Sequence, residues 1–139
     1  MTEPYLRIDP SGEISWINID RVPYKFDPSI LGPSADQIHA AIGCSCFEMV
    51  RTVISGIVIL VDESGKLKTP PQRHNELASR LYAGWLLGHD DIVGPAIVFA
   101  ERRTEPYGEH DIFPLNDVEL AKLSLALGIQ LPVEVSGDE

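Results

Sequence analysis

Apolar positions along this chain follow two periods. A period of two, the signature of a strand that shows alternate side chains to opposite faces, marks Tyr5 to Ile8 and Ile14 to Ile19. Asp9-Pro10-Ser11-Gly12 lies between them, a turn in which proline presets one dihedral and glycine accepts positive φ. The same period returns from Phe47 to Ile54, and Ile57 to Val61 then forms an apolar, β-branched run after Ser55-Gly56. The spacing predicts a hairpin with Ser55-Gly56 as its turn, and the second run reads as a central strand covered on both faces. Ile92 to Ala100 reads as a further strand with a bulge or edge entry at Gly94-Pro95, and Leu67 as the start of a short return strand. Glu101 to His110 reads as a polar loop.

Three stretches follow the helical period instead. Ser34 with Gln37 three residues on has the pattern of a capping box, Ala35, Ile38, Ala41 and Ile42 follow at helical spacing, and Gly43 stops the run. Asn75 is the expected N-cap of a helix whose stripe runs through Leu77, Leu81 and Trp85, with Ala78, Tyr82 and Leu86 beside it. Asn116-Asp117-Val118-Glu119 is a second capping signature, and Val118, Leu120, Leu123 and Leu127 supply an apolar face that ends at Gly128. The order of elements predicts an α+β single domain, a mostly antiparallel sheet of about five strands with about three helices. Residues 1–33 read as an N-terminal hairpin and connection belonging to the same domain, 34–130 as its core, and 131–139 as an acidic tail expected to fray.

Composition narrows the function. The 139 residues carry 21 acids and 11 bases, a net charge of −10. Direct nucleic-acid binding needs clustered Lys and Arg, whereas here Arg102-Arg103 is the only adjacent basic pair. From Glu105 onward there are eight acids against Lys122 alone, a solvated acidic end or a surface for a basic partner. An apolar run such as Ile57 to Val61 falls far short of the ~20 residues a membrane span requires. The start, Met1-Thr2-Glu3-Pro4, has neither a basic stretch nor an apolar signal core, and a cytoplasmic location is the expectation. Cys44 and Cys46 are too close for the usual thiol-pair spacing, so they read as two buried small side chains at a strand entrance, with no zinc and no cofactor expected.

By the second hairpin the sequence resembles the uncharacterised family Domain of Unknown Function 3846, small proteins of bacteria, plasmids and phages. The stretches that carry the resemblance are the helix closing on Gly43, Phe47-Glu48-Met49-Val50, and Ile57 through Leu67. Pro71, Asn75 and Ala78 ahead of Leu81 follow, and Asp91-Ile92-Val93-Gly94-Pro95-Ala96 completes the set. It spans about residues 34 to 127, with Gln72-Arg73-His74 adding to the spacing between Pro71 and Asn75. The resemblance implies a fold and almost no chemistry.

The strongest cluster of chemistry-bearing residues is Glu48, Asp62, Glu63 and Asn75, with Arg73 and Lys66 near in sequence. If Ile54 faces Ile57 across the turn, Glu48 lies opposite Glu63, and two opposed carboxylates call for a cation, a shared proton or a basic side chain between them. That arrangement suits a divalent metal or general acid–base work, or else a surface ion-pair network with Asn75 as a helix cap. His39, His74, His89 and His110 stand apart without a nucleophile motif, and no phosphate loop or nucleophile elbow is present in the sequence. The leading expectation is therefore a noncatalytic accessory protein of phage or mobile-element type, regulatory or anti-defence, that binds a protein or a small ligand. The alternative is a small enzyme or metal site built on Glu48, Asp62, Glu63 and Asn75. A homo-oligomer pairing through a sheet edge near Gly94-Pro95 is the third reading.

Overall fold

A computed structural model describes residues 2–23, 28–29, 31–44, 46–63, 73–82, 91–104 and 109–132. The hairpin around Asp9-Pro10-Ser11-Gly12 forms as the turn chemistry dictates: β1 (Thr2–Ile8) runs antiparallel to β2 (Ile14–Pro23), closed by Gly12 N–H donating to the Asp9 carbonyl at 2.9 Å. β2 continues past its expected end because β3 (Leu31–Pro33) pairs with it. α1 (Ala35–Ile42) follows, β4 (Phe47–Arg51) and β5 (Ile57–Asp62) form the second hairpin, and α2 (Glu76–Leu81) comes next. β6 (Ala96–Thr104), β7 (Glu109–Phe113) and α3 (Asp117–Leu127) complete the order.

Among the described residues one antiparallel sheet of seven strands results, ordered β3-β2-β1-β6-β5-β4, with β7 also on β6. The expected α+β class holds, with more strands than the pattern suggests. β6 joins the halves of the sheet. Val98 pairs with Ile59 on one side and Leu6 on the other, whereas Ala100 pairs with Ile57 on one side and Phe113 on the other. β1 and β7 thus share one edge of β6. Glu101 to Thr104, read from polarity as loop, is strand because β7 pairs with it there. Gly94-Pro95 leads into this interior strand and not into an edge, so the expected open edge at that place is corrected.

Each face of the sheet has its own apolar layer. Leu6, Ile8, Ile57, Ile59, Val61, Ala96 and Val98 pack with Ala78 and Leu81 of α2 and Leu123 and Leu127 of α3. Tyr5, Ile19, Val58, Leu60, Ile97 and Phe99 pack with Ile38 and Ile42 of α1 on the other face. β5 is buried along its whole length, as its unbroken apolar run requires. α1 has its expected Ser34 cap and ends on Gly43 at φ 76°, a left-handed value that costs glycine little. Arg7 Nε closes the far end by donating to the Ala41 carbonyl at 2.9 Å, a cation at the negative end of the helix. Beneath α1, Tyr5 is buried with its hydroxyl 3.3 Å from Glu3 Oε1. Burial, then the Glu3 charge, push the phenol up to about 12. Because the folded value exceeds the unfolded one, this contribution is complete below pH 10 and is lost as pH rises from 10 to about 12. One phenol should therefore ionise last when phenolate absorbance is followed against pH, and the Tyr5→Phe variant should lack that late step.

The β4–β5 hairpin departs from expectation. Ser55-Gly56 does turn the chain, with Ile57 N–H donating to the Ile54 carbonyl at 3.1 Å and Gly56 at φ 84°. The ladder, however, pairs Phe47 with Asp62, Glu48 with Val61 and Arg51 with Val58, two residues away from the register implied by Ile54 facing Ile57. The cause is Val53, whose N–H leaves the hairpin and donates to the Leu81 carbonyl of α2 at 2.8 Å. The buried Thr52 hydroxyl holds the resulting bulge, donating toward the Ile57 and Ile54 carbonyls at 2.7 and 3.0 Å and accepting from Ile54 N–H at 3.1 Å. Thr52→Val keeps the shape but leaves these buried groups without that partner, an expected loss of about 2 kcal/mol by denaturant titration. Thr52→Ser should recover most of it.

α2 ends at Leu81, short of the expected Leu86, because Tyr82 turns extended and bridges Thr52. The expected Leu67 strand and the core role of Trp85 lie outside the described residues. Cys44 is half-buried and Cys46 exposed, neither in a disulfide, so the expected pair of buried side chains is corrected: Cys46 precedes β4 on the surface.

Candidate functional site

The register separates the acids that the sequence brought together. Residues opposed across an antiparallel pair share a face. Glu48 opposes Val61 and so points to the side of α2 and α3, whereas Asp62 opposes Phe47 on the side of α1. Glu48 is not opposite Glu63, and the expected carboxylate pair is corrected. Glu63 sits just past β5, its N–H donating to the Cys46 carbonyl at 3.1 Å. Glu48, Glu63 and Arg73 are exposed, and Asp62 is buried. Among the described residues no three His, Cys, Asp or Glu side chains gather in a group able to hold a metal ion.

Asn75 has the richest local geometry of the five. It caps α2 by accepting from Ala78 N–H at 3.1 Å. Its Nδ2 donates to the Ile8 carbonyl and the Gly94 carbonyl, each at 2.9 Å, and it is fully buried. Around it, Arg73 to Asn75 run beside Ile92 to Gly94, with Gly94 N–H on the Arg73 carbonyl at 2.7 Å and Asn75 N–H on the Ile92 carbonyl at 2.9 Å. Ser79 Oγ bonds both backbone groups of Ile92. Both the donors and the cap acceptor of this amide are engaged by the fold, which ties β1, α2 and the approach to β6 into one joint.

The other polar groups brace the scaffold in the same way. Gln37 clamps Asp20, accepting from its N–H at 2.7 Å and donating to its carboxylate at 2.6 Å. Two guanidiniums approach the Phe113 ring, Arg21 at 5.4 Å and Arg102 at 5.5 Å from its centroid. Arg21 is paired with Glu3 and Arg102 with Glu119, so the cations of this stack are neutralised locally. His74 Nδ1 lies 3.3 Å from Asp91 Oδ2 with both side chains about half exposed, and the His39 ring rests against Phe47.

What periodicity missed is on α3. The helix has its expected Asn116 capping box and a Gly128 terminus, and Leu123 and Leu127 face the sheet. Val118, assigned by spacing to the same face, is instead 64% exposed, and Leu125 is 84% exposed. Val118, Ala121 and Leu125 recur at helical spacing along the solvent side, all exposed. The signal was in the sequence: apolar residues occupy every side of this helix, while only one side packs on the domain.

Two helix-covered faces on an antiparallel sheet define the class as α+β. The chain belongs to the family described as Domain of unknown function (DUF3846), which matches residues 1–110 and so takes in the first hairpin as well as the stretches that carry the resemblance. A comparison with curated proteins and one with solved structures each gave no match. Among the described residues no helix is long and apolar enough to cross a membrane.

Proposed function

We propose that this protein is a noncatalytic binding module that works by docking another protein on its surface. The observation that carries this reading is the solvent face of α3, where Leu125 and Val118 are, among the described residues, the two most exposed large hydrophobic side chains. A scattered exposed leucine needs no explanation, but two at a seven-residue spacing on a helix fixed at both caps form a continuous stripe. The separation of Glu48 from Asp62 across the sheet, and the engagement of Asn75 in the fold, also favour a surface role over a catalytic cleft. An accessory role of phage or mobile-element type is the part of this proposal supported by the family resemblance.

The test is site-specific photo-crosslinking in the native host. A benzophenone amino acid at position 125 should give a discrete protein adduct. The same group at Asp36, exposed on α1 across the sheet, should not. No adduct at 125, or the same adducts at both positions, would sink the reading.

A further inference from the structure

We propose that the protein docked on the α3 solvent face is a second copy of this chain, its α3 lying parallel to the first. This rests on the docking reading above and names the partner. Val118, Ala121 and Leu125 are spaced by three and then four residues, as core positions are along a two-stranded coiled coil. All three are exposed, and the small Ala121 between two larger side chains lets a second helix approach closely.

The charges beside the stripe choose the partner and its direction. On the helix, Asp117 and Lys122 lie about 70° to either side of the stripe, an acid on one flank and a base on the other. Both are exposed, whereas Glu119 lies further round and is paired with Arg102. In a parallel two-fold pair the acid flank of each helix meets the base flank of its mate. Asp117 then lies beside the partner's Lys122, and Lys122 beside the partner's Asp117. An antiparallel pair would set each flank against its own kind. A helix of one sign, basic or acidic, gains at one flank and loses at the other. The helix that suits both flanks carries one acid and one base astride an apolar stripe, and α3 is itself such a helix.

Sedimentation equilibrium of the full chain should show a dimer forming between micromolar and millimolar concentrations, a weak pairing because α3 has only 11 residues. Leu125→Gln leaves charge unchanged and should weaken the dimer by roughly tenfold, with the melting temperature of the dilute monomer unmoved. Asp117→Lys and Lys122→Glu each set like charges at both flanks, so each variant alone should dimerise less than the native chain. Mixed together, they should form a heterodimer that recovers the native affinity, because opposite charges meet again. A benzophenone amino acid at position 125 should attach near position 125 of the second copy. Attachment near position 118 would mean an antiparallel pair and overturns the proposal. So does a chain that stays monomeric at millimolar concentration, a dimer indifferent to Leu125→Gln, or a mixture that recovers nothing. An adduct at position 125 with a different protein would retain the docking module and reject only the second copy, whereas no adduct there sinks both.

Discussion

Replacing Asn75 with alanine is expected to destabilise the protein by about 3–4 kcal/mol, a large share of the ~5–15 kcal/mol that holds a domain of this size folded. The amide does three jobs from one fully buried position. Its oxygen caps α2 through Ala78 N–H, which contributes about 1 kcal/mol. Its nitrogen serves the Ile8 and Gly94 carbonyls, and stripping a donor from a buried carbonyl costs about 1–3 kcal/mol. Asn75→Asp separates the two roles. The carboxylate keeps an acceptor for Ala78 N–H but turns an oxygen toward the Ile8 and Gly94 carbonyls, so at neutral pH it should be worse than alanine. Urea titration checks this through the midpoint, with the slope unchanged. An aspartate variant as stable as the native protein would show that the two carbonyls do not depend on Asn75.

Phe99→Ala should cost about 3–5 kcal/mol, the usual range for emptying a buried phenyl site that cannot collapse. Phe99 is fully buried in the middle of β6, opposite Val58, beneath α1 and 4.6 Å from the Tyr5 ring centroid. β5 lies on one side of β6 there, and both strands are fixed by their ladders, so little can move in to fill the space. Phe99→Leu keeps most of the volume and should cost under about 1.5 kcal/mol. A second readout comes from Tyr5, whose phenol is held up to about 12 chiefly by burial. Water entering the cavity left by Phe99 should bring that late ionisation back toward pH 10. A loss below about 1 kcal/mol with the phenol unmoved would mean that the face under α1 repacks freely.

Local chemistry was legible in the chain. The caps at Ser34, Asn75 and Asn116, the glycine stops at Gly43 and Gly128, and the turn at Asp9 to Gly12 all form where the residues place them. Each depends on hydrogen bonds between neighbours in sequence, which the residues themselves specify. The burial of β5 on both faces was legible for the same reason, since five consecutive apolar side chains need two covers. The candidate site was not. Its acids were aligned on the assumption that the hairpin closes on itself, whereas Val53 bonds to α2 and moves the register by two residues.

The sequence by itself determined where the three helices begin, where α1 and α3 end, the α+β class and a net charge of −10. Only the tertiary structure decided which strands pair, that Glu101 to Thr104 is strand, and that Glu48 opposes Val61 and not Glu63. It also decided that one side of an apolar helix faces water. The physical reason is range. A cap or turn is satisfied within four residues, but strand register and helix facing are fixed by whichever distant backbone group or side chain arrives to complete them. Here those are Leu81 for the hairpin, Phe113 for the end of β6, and the sheet's own area for α3.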